Sequence, residues 1–470
     1  MDLDNDIVGW DSQEDPEMPL NFSKAQKWIY IITLSCVTFM TPFAGTILAP
    51  AIQSFANEFK QHDLTKSSLA VSIYMLGYGV GSLFFSPLSE IYGRFVVLNG
   101  SNAFFCVWLF ACDLAPNLET LIFFRFMAGF GGSGSQTIGG AIIADMFPVQ
   151  ERGRALTIWL LGNLYGPCSA IIGSYVSQSI GWRWVHWICL FPAAFLTLAV
   201  YVVGRETHYQ LLMNRKVQKL RRELGRPKLR SCYADEKLLA MGTIHYMLIS
   251  LIRPIRILFT SITVLSLSTY IAFMYGCLYL LFNTIPIVFQ EQYRWPVGPT
   301  GLIYLTILIG YTIGVVISYM LSDSSIIRAT AANKGVYQPE MRLSNCIWFA
   351  AIMPITFFWY GWAAAKQLHW IIPVIGIVPF GIGIVGVWQP IQTYIIDSNS
   401  EYAASGLAVF CVLRNVGAAF LPLVSPRMYE SLGIGWGTSL LGFIAIALIP
   451  IPTLIYRYGA QLRRRYPLNL

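Results

Sequence analysis

Ser86-Pro87-Leu88-Ser89-Glu90-Ile91-Tyr92-Gly93-Arg94 closes one long apolar run, 67–88, and opens the next, 95–115. Six residues separate the two runs. Each run has the roughly 20 residues that a helix needs to cross a bilayer core. Gly93 permits a tight turn. Glu90 and Arg94 put opposite charges at the boundary where the chain leaves the apolar phase and re-enters it. The stretch therefore reads as the hairpin between two spanning helices.

Working outward, twelve such runs appear: 28–51, 67–88, 95–115, 119–144, 155–178, 183–203, 258–289, 299–321, 343–362, 370–396, 403–425 and 436–456. The 470 residues are 55% hydrophobic and 12% charged, against about 25% charged in a soluble domain. That balance excludes a disordered chain and argues against a soluble enzyme. Period-two alternation is absent, so the runs are not barrel strands. The expected fold is an all-α membrane protein of two pseudo-symmetric six-helix bundles. Its parts are an acidic tail (1–26), an N-terminal bundle (27–203), a basic linker (204–257), a C-terminal bundle (258–457) and a basic tail (458–470).

Charge sets the orientation. Segment 204–256 holds twelve Lys and Arg against four acids, an excess equal to the whole net charge of +8. A basic stretch between apolar spans faces the cytosol and anionic lipid, not nucleic acid. With both termini cytosolic, 24 basic residues fall inside and six outside, and Arg125 and Arg414 lie within spans. The linker face Met213, Val217, Leu220 and Leu224 reads equally as membrane-surface contact or as a solvated helix. The acidic head, with seven carboxylates before Lys24, reads as a disordered cytosolic tail. The nine cysteines and five histidines show no metal-ligand spacing, so neither metal nor cofactor is expected.

Three stretches carry mechanism. An arginine inside a span, Arg125, costs on the order of 3 kcal/mol unless it meets polar groups. The fifth run places small residues at 162, 166, 170 and 174, a stripe that admits a neighbouring helix closely, and Pro167 favours a kink. No carboxylate stands in mid-span. Asp113 and Glu119 fall at an outer loop, and His186 reads as a lone packed residue.

The loop 86–94 resembles the one between helices two and three of the major facilitator superfamily. That resemblance implies a cytosolic latch of Glu90, Gly93, Arg94, Asp145 and Arg152. Arg125-Phe126-Met127-Ala128-Gly129 resembles the family's fourth-helix motif, which implies a role for Arg125 in proton coupling rather than folding. Gly162, Gly166, Pro167 and Gly173, with Gly181-Trp182-Arg183-Trp184, resemble its antiporter motif. The head Trp10-Asp11, Asp15-Pro16-Glu17 and Pro19-Leu20-Asn21-Phe22-Ser23 resembles fungal twelve-span drug:proton antiporters, as do Arg253-Pro254 and the run from Arg414 to Leu423. The resemblance implies a monomer with a central cavity and alternating access. It also implies export of a small amphipathic molecule against protons, with the plasma membrane as the expected location. A proton-coupled importer of a small organic acid is the alternative. Membrane enzymes are disfavoured because the histidines form no HxxxxD or HxxxH pattern. Arg414, Tyr165, Phe273, Tyr279, Phe282, Trp388 and Tyr394 are the expected cavity residues. Both intramembrane charges are positive, so neutral or weakly acidic cargo is expected.

Overall fold

The computed structural model describes residues 6–61, 63–233, 243–333, 336, 338–398 and 403–465. Helices dominate, and the described residues trace twelve passes. The first is Lys24–Thr46, the second Leu64–Tyr92, the third Arg94–Asp113 and the fourth Leu118–Met146. The fifth is Val149–Tyr165, a 3-10 turn Gly166–Cys168, and Ser169–Ser179. The sixth is Trp184–Val203. After the linker come the seventh, Ile262–Gln292, and the eighth, from Val297 through Tyr304–Ala332. The ninth is Leu343–Ala365 and the tenth is Ile371–Gly376 with Val378–Ser398. The eleventh starts with Ala403–Phe420. Helix Ser425–Leu448 breaks at Gly433, whose φ of 74° turns the eleventh pass into the twelfth.

Local chemistry sets the ends. Ser23 and Gln26 form a reciprocal capping box at the first pass. Asp63, Asn117 and Ser261 accept from the first turns of the second, fourth and seventh. Such caps satisfy N–H groups that have no partner inside a helix.

The two bundles repeat one packing scheme. In the first, a Cβ on Gly77 would meet the Phe126 backbone, and one on Gly129 the Tyr74 backbone, so the second and fourth passes touch main chain to main chain. In the second, Gly310 and Gly381 bring the eighth and tenth passes equally close. The first and fifth passes meet at Gly162 over Ser35, and the seventh and eleventh at Gly417 over Ala272. Glycine at these positions permits approach that any side chain would block.

Between the bundles, the contacts of the fifth and eighth passes sit towards the face remote from the linker. Ser174 Oγ donates to the Gly298 carbonyl at 3.1 Å, and the Gly298 N–H donates to Gln178. At the linker face three ion pairs each close within one bundle: Arg94 with Asp145, Arg342 with Asp397, and Arg463 with Glu340. The fifth and eighth passes are thus joined at the far face.

The head and the linker form a small folded unit, which corrects two expectations. Strand β1, Ile7–Val8, pairs in parallel with β2, Arg230–Ser231. Met213 and Val217 of the linker helix Tyr209–Leu224 bury against Val8 and Leu229, with Trp10 and Leu220 alongside. The apolar linker face therefore covers the head instead of lying on lipid or in solvent. Leu224 stays exposed. The acidic head is folded onto the linker, where Lys216 pairs with Asp11 at 2.9 Å and Asp15 at 3.2 Å.

Burial works against the charge on Asp15. The Glu17 and Asp11 N–H groups and Lys216 outweigh it and hold the carboxyl below its ordinary value. The clasp is therefore complete above the ordinary carboxylate range and is lost only as pH falls below it. The Arg230 and Cys232 N–H groups donate to Asp6 and Val8. We predict that Lys216→Glu speeds hydrogen exchange at these two amides about tenfold, the effect of about 1.4 kcal/mol, while wild-type protection stays flat from pH 5 to 8. Unchanged exchange in the variant would contradict the clasp.

Candidate functional site

Arg125 is fully buried in the fourth pass. Nη1 donates to the Ala44 carbonyl at 2.7 Å and Nη2 to Gly45 at 2.8 Å. Nε and Nη2 reach Ala70 and Val71 at 3.3 and 3.4 Å. Ala44 and Gly45 belong to the last turn of the first pass, where carbonyls have no helical partner. The side chain expected to serve coupling is thus built in as the cap of a broken helix end. The Tyr74 ring lies 4.7 Å from its guanidinium carbon, and the Tyr74 hydroxyl donates to the Thr41 carbonyl.

Tyr74 stacks on Tyr78 with centroids 6.3 Å apart. The Tyr78 hydroxyl bonds the Gln136 side chain at 3.1 Å. Tyr78 in turn lies within electrostatic range of Arg414 in the other bundle. Arg414 is buried, over the Tyr275 ring at 4.7 Å and the Trp388 ring at 5.2 Å. Its Nε has no hydrogen-bond partner among the described residues. Its electrostatic neighbours are Tyr275, Cys411, Tyr78 and Tyr279, three phenols and a thiol. A cation with an open donor in an aromatic box is suited to an acceptor oxygen on an apolar body.

The expected cavity residues divide. Arg414, Trp388 and Tyr279 come together. Tyr165 bridges the bundles through Thr312 Oγ1 at 3.0 Å. Phe273 is half-buried on the seventh pass. Phe282 is instead core, packed on Tyr304 with centroids 5.6 Å apart. Tyr394 is buried beside Glu340 and Arg463, away from Arg414. Both were placed by composition of their spans, which does not say which helix face turns inward. Tyr78, Gln136 and Tyr275 were missed for the same reason.

The latch residues Arg94 and Asp145 come together, and a linker carboxylate joins them. Arg94 pairs with Asp145 at 3.6 Å and donates to Ser89 at 2.5 Å. Gly93, at φ 97°, lies against Glu206 and Leu211. Glu206 accepts from the Arg94 and Phe95 N–H groups, so a linker carboxylate caps the third pass where glycine offers no side chain. Glu90 belongs to the same electrostatic neighbourhood through His208. The Arg152 and Pro167 side chains lie outside the described residues. His186 is not alone: its Nδ1 lies 3.4 Å from Asp113, and both are buried.

The glycines of the fifth pass form a collar on the first. A Cβ on Gly166 would sit 2.7 Å from Pro42 Cβ and 3.0 Å from the Phe43 nitrogen. Gly162 faces Ser35 and Gly173 faces Ile47. The stripe then turns at the 3-10 segment, and Ser174 meets Gly298 and Gly301 of the eighth pass.

Two helical bundles of apolar spanning helices with a buried cation in an aromatic box suit a membrane transporter. Residues 34–422 match the Major Facilitator Superfamily, and the chain belongs to that family. It is 42% identical to the MFS-type transporter atr4 of Stereocaulon alpinum, over 98% of this chain and 83% of that one. It is 40% identical to the MFS transporter cpaT of Aspergillus oryzae, over 97% and 91%. It is 38% identical to the efflux pump radE of Floropilus chiversii, over 98% and 85%. The xylose transporter XylE of E. coli, in a partially occluded inward open conformation, superposes with a TM-score of 0.68 at 14% identity, covering 93% of this chain and 98% of that one. That likeness concerns the fold.

We predict that Gly166→Leu inserts and stays folded but slows turnover at least about tenfold with little change in cargo affinity, because it wedges the fifth pass off Pro42. Wild-type turnover in reconstituted vesicles would reduce the collar to ordinary packing.

Proposed function

We propose that this chain exports small amphipathic molecules, neutral or weakly acidic, in exchange for protons, with the linker and both termini in the cytosol. The observation that carries the reading is Arg414, a buried guanidinium boxed by Tyr275 and Trp388 with Nε unpartnered among the described residues. A cationic cargo would call for a carboxylate there, since an unpaired charge is costly in a low-dielectric site. The electrostatic neighbours of Arg414 supply none. The name of the relative radE and the glycine collar support the export direction. The 24-to-6 distribution of basic residues supports the orientation. The plasma membrane is the proposed location.

The test is a fungal strain overexpressing the protein and challenged with neutral toxins, weak-acid toxins and spermine. Protection from the first two with lowered cellular accumulation is expected, and Arg414→Gln should reduce it about tenfold or more for the weak acids. Protection from spermine alone would overturn the charge argument. Raised accumulation of a weak acid would identify an importer. Protease tags at residue 2 and at 228 should stay protected in intact cells, and external cleavage at either would overturn the orientation.

A further inference from the structure

Beneath the far face, the last residue of the third pass meets the first turn of the sixth. Asp113 and His186 lie 3.4 Å apart with side chains 3% and 0% exposed. Beyond this contact, neither side chain has a hydrogen-bond partner among the described residues. Both are polar groups that a protein interior tolerates only when they satisfy each other. We propose that Asp113 and His186 together form the site that takes up and releases the coupled proton. The proposal rests on the proton-exchange reading above and assigns it a carrier, which no mid-span carboxylate provides.

The surroundings give the pair an entrance and a receiver. Outward lies a lid. Arg183 donates to the Asp113 and Ala115 carbonyls at 3.2 and 3.3 Å and pairs with Glu58, while Trp182 Nε1 donates to Glu58 at 2.5 Å. The Trp182 ring stands 6.1 Å from the His186 ring. Displacing this exposed ion pair opens a short path from water to the imidazole. Inward lies Arg125. The charged groups within range of His186 are Asp113, Arg125 and Arg183, and the thiols of Cys112 and Cys189 adjoin Arg125 and Asp113.

With a second proton on the imidazole, Asp113 and His186 sum to zero and Arg125 is uncompensated. When that proton leaves to water, the pair becomes an anion and neutralises Arg125. A single proton thus switches the net charge around the guanidinium that fastens the first pass to the second. The same pass bears, at Ser35, Pro42 and Ile47, the glycine collar of the fifth, whose outer half makes the far-face contact with Gly298. Proton occupancy therefore acts on the gate through a continuous set of packed groups.

The test uses the full-length protein in detergent, labelled with carbon-13 histidine. His186 is assigned by loss of its signal in His186→Gln. If that variant does not fold, it is assigned by elimination with His62, His208, His245 and His369 replaced one at a time. His186 should change protonation state between pH 5 and 8, and Asp113→Asn should change its proton affinity about tenfold or more. In parallel, hydrogen exchange of segment 169–180, corrected for intrinsic rates, should differ severalfold between pH 5.5 and 7.5 in wild type and lose that difference in Asp113→Asn. A His186 signal fixed in one protonation state from pH 4.5 to 9 would overturn the proposal, as would an unaltered pH response of the gate in the variant. Neither readout needs cargo, so failure here is distinct from failure of the exporter reading, which the toxin challenge tests.

Discussion

The buried guanidinium of Arg125 is the interaction on which the first bundle depends. The first pass ends at Thr46 inside the protein, short of its own outer segment, and leaves the Ala44 and Gly45 carbonyls in an apolar interior. Leaving such groups unsatisfied costs roughly 1–3 kcal/mol each. Arg125 satisfies both and reaches the second pass at Ala70 and Val71 with the same fork. One side chain thereby ties three helices together without a carboxylate partner. Its fixed positive charge is also what makes a titratable pair next to it consequential.

Around that tie, contact is made mainly through glycine and backbone. Passes two and four, eight and ten, one and five, and seven and eleven all meet where a Cβ would overlap main chain. Helices packed so closely move as units, since no side-chain layer can absorb a small shift. Exchange between facing states then falls to the boundary between bundles, where Ser174 and Gln178 meet Gly298, Tyr165 meets Thr312, and Gly79 of the second pass packs against Asn415 of the eleventh. The stacked Tyr74 and Tyr78 run from Arg125 towards Arg414 across that boundary and join the fastening of one bundle to the cargo box of the other.

Much of the architecture is legible in the sequence because membrane spanning is a one-dimensional constraint. Apolar length and the asymmetry of basic residues suffice for the passes and the two halves. The cost of Arg125 is legible too, but its acceptors are not, because they are backbone carbonyls 80 and 81 residues away. Asp113 looks like a loop residue and His186 like a packed one until folding sets them side by side. The acidic head looks disordered by composition, and its partner strand at Arg230–Ser231 is too short to stand out. Phe282 and Tyr394 were misplaced because a helix that is apolar all round does not announce which face meets the cavity.

The most direct test compares Arg125→Ala with wild type by membrane abundance and by thermal unfolding of the purified protein. The sequence alone suggested a variant of normal abundance with coupling lost. The structure predicts low abundance and an unfolding midpoint several degrees lower, roughly the effect of a few kcal/mol, because two end carbonyls lose their donors. An Arg125→Ala protein with wild-type abundance and midpoint would contradict the claim that this guanidinium holds the first bundle together.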